Sequence, residues 1–236
     1  MKGKFKQRSM QEELLDSPNV SARLLLQNLG ELDFLNRKTG GHAVSLKGLK
    51  HLLKDKSRTY RIADLGCGSG DWLRYTAMWA RKNSFKVELT GVDKSRDAIQ
   101  YLNRKSSSFP EIRGYEGDYR DFVTNTPVDV FHCGLFCHHL NDEELLELLR
   151  HMKANASVGF VINDLQRTPL AYYGAKAFTA VFRGSPLSKH DGPVSVLRGF
   201  KKKELEMFLT RAGINRYSIH RRPFFRFLVV AENAGG

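Results

Sequence analysis

Residues 62–71 read IADLGCGSGD, and this stretch decides the fold class. A short apolar run leads directly into three glycines, Gly66, Gly68 and Gly70, each separated from the next by one residue. Glycines permit a tight turn and let a ligand approach backbone N–H groups without a Cβ in the way. A strand that enters such a turn and continues into a helix is typical of the ligand-binding edge of a parallel sheet.

The chain beyond this stretch alternates between strand-like and helix-like segments. The predicted strands are YRIADL, KVELTGVD, EIRGYEGD, VDVFHCGL and SVGFVIND, and amphipathic helices lie between them. Alternation of this kind predicts βαβ units around a mostly parallel sheet. The closing pair YSIHRR and FFRFLVVAE, interrupted at Pro223, predicts an antiparallel edge hairpin. The predicted fold class is therefore α/β and Rossmann-like, with residues 1–57 forming a helical N-terminal extension before a domain over residues 58–236.

Composition limits the class of protein. The 236 residues are 41% hydrophobic, as in a globular protein with a core, and no apolar run approaches the ~20 residues of a membrane span. The basic N-terminus lacks the apolar segment of a signal peptide. Three cysteines at irregular spacing argue against a disulfide framework. We therefore expect a cytoplasmic protein.

The formal net charge of +13 is the unusual bulk property. Such a charge attracts nucleic acid, anionic membrane surfaces or acidic small molecules without distinguishing among them. Lys and Arg are dense over residues 198–226. This basic stretch suggests the hypothesis of peripheral contact with an anionic membrane, which co-sedimentation with anionic vesicles would check.

The residues around the glycines indicate which ligand the turn accepts. Asp71 stands where a dinucleotide fingerprint has its third glycine, and the Lys-Ser/Thr pair of a P-loop is absent. Asp64 precedes the first glycine by two residues. A carboxylate there disfavours a pyrophosphate and favours an ammonium group. The sequence therefore predicts a ligand that places an amino group, rather than a phosphate, at this turn.

Two further acidic residues end the next two predicted strands. Asp93 in GVDKS ends the second strand, where a carboxylate can accept both hydroxyls of a ribose. Asp118 in EGDYRDF ends the third strand, where it can accept from an exocyclic adenine amine, and Tyr119 beside it can pack on the ring. Each acid alone is weak evidence, but three acids at three successive strand ends, together with the glycine turn, are strong evidence for a ligand site at this edge of the sheet.

These motifs resemble those of the class I S-adenosylmethionine-dependent methyltransferases over residues 58–232. They are IADLGCGSGD, GVDKS and EGDYRDF, joined by VDVFHCGLFCHHLND over residues 128–142. The resemblance implies S-adenosyl-L-methionine as cofactor and a seven-stranded sheet whose seventh strand is antiparallel. The cofactor-binding residues that it implies are Asp64, Gly66, Cys67, Gly68, Gly70, Asp93, Lys94, Asp118 and Tyr119, with Cys133, Gly134 and Leu135 as the floor.

The segments added to the core fold are the best guide to the class of methyl acceptor. Residues 164–200 form an insertion rich in aromatic and basic side chains, among them Arg167, Tyr172 and Tyr173. An apolar lid with a few cations suits a flat, hydrophobic small molecule with an acidic hydroxyl. This insertion and NRKTGGH (36–42) are similar to small-molecule methyltransferases that act on phenolic and quinone-type metabolites. We therefore expect O-methylation of a phenol or quinol, with carbon methylation of the same ring as the open alternative.

Three histidines are candidates for the group that removes the acceptor's proton. His190 lies next to Asp191, which can orient it, and His138 and His139 follow the fourth strand. The histidine pair and two neighbouring cysteines, Cys133 and Cys137, raise the question of a metal site. The fourth strand ends at the first of these cysteines and no second ligand pair occurs elsewhere, so we predict no metal.

Two other function classes remain as alternatives. An RNA or DNA methyltransferase would explain the positive charge, but the fourth-strand region HCGLFCHH lacks the N/D-P-P-Y/F motif of enzymes that methylate amino groups of extruded bases. A cofactor-binding but non-catalytic partner protein is the second alternative. The complete glycine motif and the aromatic lid argue against it. The sequence contains no signal that indicates the oligomeric state.

Overall fold

The computed structural model describes residues 3–17, 20–124, 126–181 and 184–233, and a single sheet organises the strands within them. The strands are β1 (Thr59–Leu65), β2 (Lys86–Asp93), β3 (Ile112–Glu116), β4 (Val128–Gly134), β5 (Ala156–Leu165), β6 (Tyr217–Arg222) and β7 (Arg226–Glu232). Their spatial order is β3-β2-β1-β4-β5-β7-β6. Strands β1 to β5 pair in parallel, and β7 runs antiparallel between β5 and β6. The predicted parallel sheet with an antiparallel edge hairpin is confirmed.

Eight helices accompany the sheet in the described part of the chain. They are α1 (Ala22–Thr39), α2 (Gly41–Leu52), α3 (Asp71–Lys82), α4 (Arg96–Lys105), α5 (Asp142–Asn155), α6 (Pro169–Val181), α7 (Pro186–Arg198) and α8 (Lys202–Arg211). Ser21 and Ser95 cap α1 and α4, and Asn141 caps α5 within a capping box. Gly70 occupies the N-cap position of α3, and the Asp71 side chain bonds to residues of α1 and α2 instead.

Helices cover both faces of the sheet. On one face, α2, α3 and α4 bury Leu49, Trp72 and Ile99. On the other face, α5 and α8 bury Leu145 and Leu205. Parallel strands buried on both faces are apolar along most of their length, so polar side chains concentrate at their carboxyl ends.

Helix α2 belongs to this packing although it precedes the first strand. Leu49 is fully buried, and the backbone at Gly48 lies so close to β5 that an added Cβ would come within 2.7 Å of Val161 Cγ1. The helix therefore fixes the position of its polar side chains relative to the strand ends. Among the described helices, none is long and apolar enough to cross a bilayer.

Replacing Leu49 with Ala tests whether α2 is part of the core. The cavity left behind should cost about 2–5 kcal/mol, which lowers the thermal unfolding midpoint by about 4–20 °C. Leu170→Ala on α6 is the control, because that side chain is 68% exposed. Equal midpoints for the two variants would show that α2 does not contribute to the core.

Candidate active site

The turn after β1 has the backbone that its glycines predict. Gly66, Gly68 and Gly70 all adopt positive φ, at 69°, 51° and 68°. A Cβ at Gly66 would lie 2.3 Å from Phe136, and one at Gly70 would lie 2.6 Å from Leu102. Both the conformation and the close neighbours therefore exclude a side chain, and the turn offers bare backbone at the carboxyl end of the sheet.

Asp93 holds this turn from β2. One carboxylate oxygen accepts from Gly68 N and the other from Ser95 N, each at 2.9 Å. Burial raises the pKa of Asp93, although the two N–H donors act against this. Each oxygen of a carboxylate has room for a further donor, so Asp93 remains able to accept hydroxyl groups.

Asp118 and Tyr119 follow β3 as expected, but Asp118 already has cationic partners. Lys94 Nζ and Arg120 Nη2 both lie 2.8 Å from Asp118 Oδ2. Partial burial raises the pKa of Asp118, but the hydrogen bonds from these two cations outweigh it and hold the pKa well below its usual range. The Tyr119 ring is buried with its edge against Phe136, and in the described part of the chain no group bonds to its hydroxyl.

Asp64 is buried in a polar network that the sequence did not reveal. His132 Nδ1 lies 2.6 Å from Asp64 Oδ1, and His132 Nε2 lies 2.8 Å from Ser45 Oγ. Asn163 Nδ2 donates to the same hydroxyl at 2.9 Å, whereas Asn163 Oδ1 is buried and has no hydrogen-bond partner among the described residues. The Trp72 ring stacks on His132 with 3.6 Å between ring centroids. The register of β1 and β4, which pairs Asp64 with His132, is the signal that locates this histidine.

A second polar group from α1 and α2 closes the same space. His42 Nε2 lies 2.6 Å from Asp71 Oδ2, and Asn36 Nδ2 donates to that oxygen at 3.3 Å. Arg226 at the start of β7 donates to Asn36 Oδ1 at 2.8 Å, and burial lowers the pKa of this arginine to about 10. The two groups and the turn enclose a cavity of about 40 Å³, which we call the polar pocket.

The polar pocket is smaller than a ligand-binding pocket, which usually measures about 300–1,000 Å³. The side chain of Leu29 on α1 lies over Gly68, and the Phe136 ring lies over Gly66. Both side chains stand where a ligand of the turn would lie. A ligand of that size therefore requires Leu29, Phe136 or both to move.

The residues at the end of β4 contribute backbone groups to the polar pocket, and one of them has a left-handed conformation. Gly134 lines the polar pocket together with Leu135, whose φ is 54° and whose N–H donates to Asn163 O at 2.9 Å. Cys133 points the other way, into the core, with Sγ 3.7 Å from Met152 Sδ. Cys67 lines the pocket, and burial raises the pKa of its thiol well above the ordinary value, so it stays protonated.

The two histidines after β4 meet the N-terminal segment. His138 Nδ1 lies 2.7 Å from Asp164 Oδ1, with both side chains buried, and His139 Nδ1 lies 3.0 Å from Asp16 Oδ1. Glu13 Oε1 lies 3.6 Å from His138 Nε2. Burial raises the pKa of Glu13 to about 7. We call Glu13, His138 and His139 the histidine–carboxylate cluster. No sequence signal points to Glu13, because it precedes every motif.

His190 lies apart from that pair but is oriented as expected. Its Nδ1 is 2.7 Å from Asp191 Oδ1. Asp191 also accepts from Leu14 N at 2.8 Å and Leu15 N at 3.0 Å. Asp191 therefore anchors the short 3-10 turn next to Glu13, while the His190 side chain is 39% exposed.

The structure brings none of the three predicted acceptor-binding residues to the polar pocket. Arg167 is fully buried and donates to Gly199 O and to Glu204. Tyr172 is buried and its hydroxyl accepts from Lys4 Nζ at 2.8 Å, whereas Tyr173 is 54% exposed. Residues 182–183 of the insertion lie outside the described residues. The role of Arg167, Tyr172 and Tyr173 toward the acceptor stays a prediction.

Comparisons with known proteins agree with this architecture. Residues 62–159 match the family model of a methyltransferase domain. A plantazolicin methyltransferase, solved with a desmethylplantazolicin analogue and SAH, is 17% identical with a TM-score of 0.66, covering 89% of this chain and 90% of that one. A SAM-dependent methyltransferase from Aquifex aeolicus is 19% identical with a TM-score of 0.57, covering 92% and 94%. Magnesium protoporphyrin IX methyltransferase from Synechocystis is 16% identical with a TM-score of 0.57, covering 84% of each chain. No curated sequence matches the chain.

Residues 62–159 therefore form a methyltransferase domain, and the protein is a transferase. The strand order agrees with the fold of these solved methyltransferases, two of which hold SAH.

Substituting Gly66 with Ala should disrupt the turn. A residue with a Cβ in the left-handed region costs about 1–2 kcal/mol, so the unfolding midpoint should fall by about 2–8 °C, and the contact with Phe136 adds to this. Gly30→Ala in α1 is the matched control, since its Cβ would meet nothing within 4 Å and alanine favours a helix. The control should unfold at the same or a higher temperature. A Gly66→Ala midpoint equal to that of the wild type would disprove the assigned backbone.

Proposed function

We propose that this enzyme transfers the methyl group of S-adenosylmethionine to an oxygen of a small hydrophobic acceptor, a phenol or quinol. One observation carries the proposal: the histidine–carboxylate cluster is enclosed at the carboxyl ends of β4 and β5. His138 is 3% exposed and Glu13 is 4% exposed. Such an enclosed site suits a small molecule better than a nucleic-acid strand, which needs an open groove.

The polar pocket has the groups that the amino-acid end of the cofactor needs. Asp64 and the unpartnered Asn163 Oδ1 are acceptors for an ammonium group. Arg226 is a buried cation that donates to the neutral Asn36, so its charge suits a carboxylate. Groups of negative and positive charge thus both face the polar pocket, which suits a zwitterion.

The remaining cofactor residues lie along the turn. Asp93 is fixed by two N–H donors and stands ready for ribose hydroxyls. Tyr119 supplies a buried ring for the adenine, and Asp118 is positioned by its two cations. When bound, S-adenosylmethionine supplies an activated methyl group on its sulfonium. The contribution of the protein is then to align the acceptor oxygen and to accept or neutralise its proton.

The acceptor side is formed by the segments added to the core. Helices α6 and α7 pack together, and Asp191 on α7 ties the N-terminal segment over the cluster. A phenol ionises near pH ~10, so a methyltransferase for phenols needs a group that lowers this barrier. Of the three predicted histidines, His138 is the most strongly fixed, because Asp164 accepts from both its ring and its backbone N–H.

Isothermal titration with S-adenosylhomocysteine, followed by a methyl-release assay on phenols, quinols, tRNA and duplex DNA, tests the proposal. Binding with turnover on a phenol or quinol is expected, and product analysis distinguishes oxygen from carbon methylation. Turnover only on nucleic acid would replace the proposed acceptor class, and the charge of +13 would then be functional. Binding without turnover on any acceptor would favour the non-catalytic partner.

Replacing Asp93 with Ala should weaken S-adenosylhomocysteine binding by about 10–100-fold, because hydrogen bonds to a charged acceptor are worth about 1.5–3 kcal/mol. Asp93→Asn keeps one acceptor oxygen and should lose less. Asp97→Ala, in the first turn of α4, is the control that keeps the site intact. Titration calorimetry measures all three variants, with the unfolding midpoint recorded for each. If Asp93→Ala folds and binds as tightly as the control, the ribose assignment is wrong.

A further inference from the structure

The histidine–carboxylate cluster has a chemistry that the proposed function leaves unexplained. It combines two imidazoles and a carboxylate whose facing atoms all lie within 4.8 Å of one another. We propose that Glu13, His138 and His139 bind one divalent transition-metal ion. This inference concerns metal binding in the absence of cofactor and acceptor, so it stands or falls independently of the acceptor class.

The distances suit a metal centre. His138 Nε2 lies 3.6 Å from Glu13 Oε1, and His139 Nε2 lies 4.0 Å from Glu13 Oε2. Metal ions with imidazole and carboxylate ligands bind at about 2.0–2.2 Å, which places neighbouring ligand atoms about 3–3.5 Å apart. The two histidine–carboxylate gaps therefore exceed this spacing by about half an ångström or less, and all three ligand atoms already lie within 4.8 Å of one another. Both gaps are too long for hydrogen bonds.

Each histidine is held by a carboxylate on its far side. Asp164 bonds to Nδ1 of His138 at 2.7 Å, and Asp16 bonds to Nδ1 of His139 at 3.0 Å. A partner on Nδ1 fixes the ring so that Nε2 faces the cluster, and it makes Nε2 a stronger ligand. Paired carboxylate–histidine contacts that converge on a third carboxylate are the usual surroundings of a metal-binding histidine pair.

The carboxylate of Glu13 supplies an independent observation. The side chain is 3% exposed, yet Glu13 Oε1 has no hydrogen-bond partner among the described residues, although the Ser195 hydroxyl lies close enough to lower the pKa of this carboxyl. Arg198 is the nearest guanidinium, with Nε 4.0 Å from that oxygen, but its nitrogens donate to the carbonyls of His138, His139 and Gln11. A buried carboxylate oxygen without a donor is costly, and a bound cation removes that cost.

The charges around the cluster favour a cation. Glu13, Asp16, Asp164 and Asp191 contribute four carboxylates, whereas Arg8 and Arg198 contribute two guanidiniums. Arg198 donates to backbone carbonyls, and Arg8 donates to backbone carbonyls and pairs with a further carboxylate, Asp142, at 2.9 Å. A divalent ion balances the remaining negative charge. Imidazole and carboxylate ligands suit Zn²⁺ and Fe²⁺ rather than Mg²⁺ or Ca²⁺.

This inference revises the expectation of no metal drawn from the sequence. That expectation weighed Cys133 and Cys137 as partners of the histidines, but both thiols are buried in the core. The third ligand comes instead from the N-terminal segment. Three protein ligands leave coordination positions open, and an acceptor oxygen bound there would lose its proton more readily.

A second group of potential ligands, Asp33, His42 and Asp71, lies near the polar pocket. His42 Nε2 already bonds to Asp71 at 2.6 Å, and Asp33 accepts from Arg37 at 2.7 Å. The facing atoms of this group are thus satisfied without an ion. It serves as an internal comparison in the test.

The test uses the full chain after dialysis against EDTA, without cofactor. Zn²⁺ is titrated by calorimetry, and Co²⁺ by the visible absorption that it gains in a protein site. We expect one equivalent of each to bind, with loss of at least about 100-fold in affinity for Glu13→Gln and His139→Gln. Asp16→Asn should lose about 10–100-fold, as is usual when the partner of a metal-binding histidine is removed.

The controls are His51→Gln, an exposed histidine, and His42→Gln in the second group, both of which should bind as the wild type does. Unfolding midpoints in EDTA show whether each variant folds, and Asp16→Asn remains informative if Glu13→Gln does not. Absence of stoichiometric binding in the wild type would overturn the proposal. Unchanged binding by a folded Glu13→Gln or Asp16→Asn variant, or loss only in His42→Gln, would also overturn it.

Discussion

Burial of carboxylates at one edge of the sheet is the constraint on which the site depends. A buried charge costs several kcal/mol unless a partner meets it, and truncating one member of such a pair leaves the other uncompensated. Asp64 meets His132, Asp71 meets His42 and Asp164 meets His138. These pairs connect strand ends with one another and with the helices that precede the sheet. The network therefore fixes α2 and the residues after β4 in position, and an apolar edge would leave both free to shift.

The same network divides the site into two halves with different chemistry. The half around Asp64 and Arg226 has groups of both signs in a small space, as an amino-acid zwitterion requires. The half around His138 is net negative and carries Glu13, whose carboxylate is only partly satisfied. Methyl transfer needs this division, because a positively charged donor must be held firmly on one side while a nucleophilic oxygen is exposed on the other. The left-handed Leu135, which bonds to Asn163 O, lies in the lining of the first half.

The sequence predicts the parts of this arrangement that depend on local chemistry. Gly66 and Asp93 were predictable because a few neighbouring residues are enough to recognise a glycine turn or the end of a strand. His132 requires knowledge of which strands are neighbours, since its partner Asp64 lies on another strand. The partner of Asp71 is likewise out of reach of the local sequence, because it is a buried histidine on α2, 29 residues earlier in the chain. Glu13 is beyond sequence reasoning altogether, because its role arises only when the N-terminal segment is held by Asp191 on α7.

The attachment of the N-terminal segment to α7 affects the order in which the parts of the molecule can form during synthesis. The segment around residues 13–16 is synthesised before the sheet, but its partners on α7 and after β4 are synthesised more than a hundred residues later. At ordinary rates of translation, the interval is roughly 10–40 s. During this time the N-terminal segment has nothing to dock on, and the sheet acquires its edge hairpin last. The histidine–carboxylate cluster is therefore completed after most of the sheet has formed, and a chain that stalls before α7 has the glycine turn but lacks the contacts that hold the segment around Glu13.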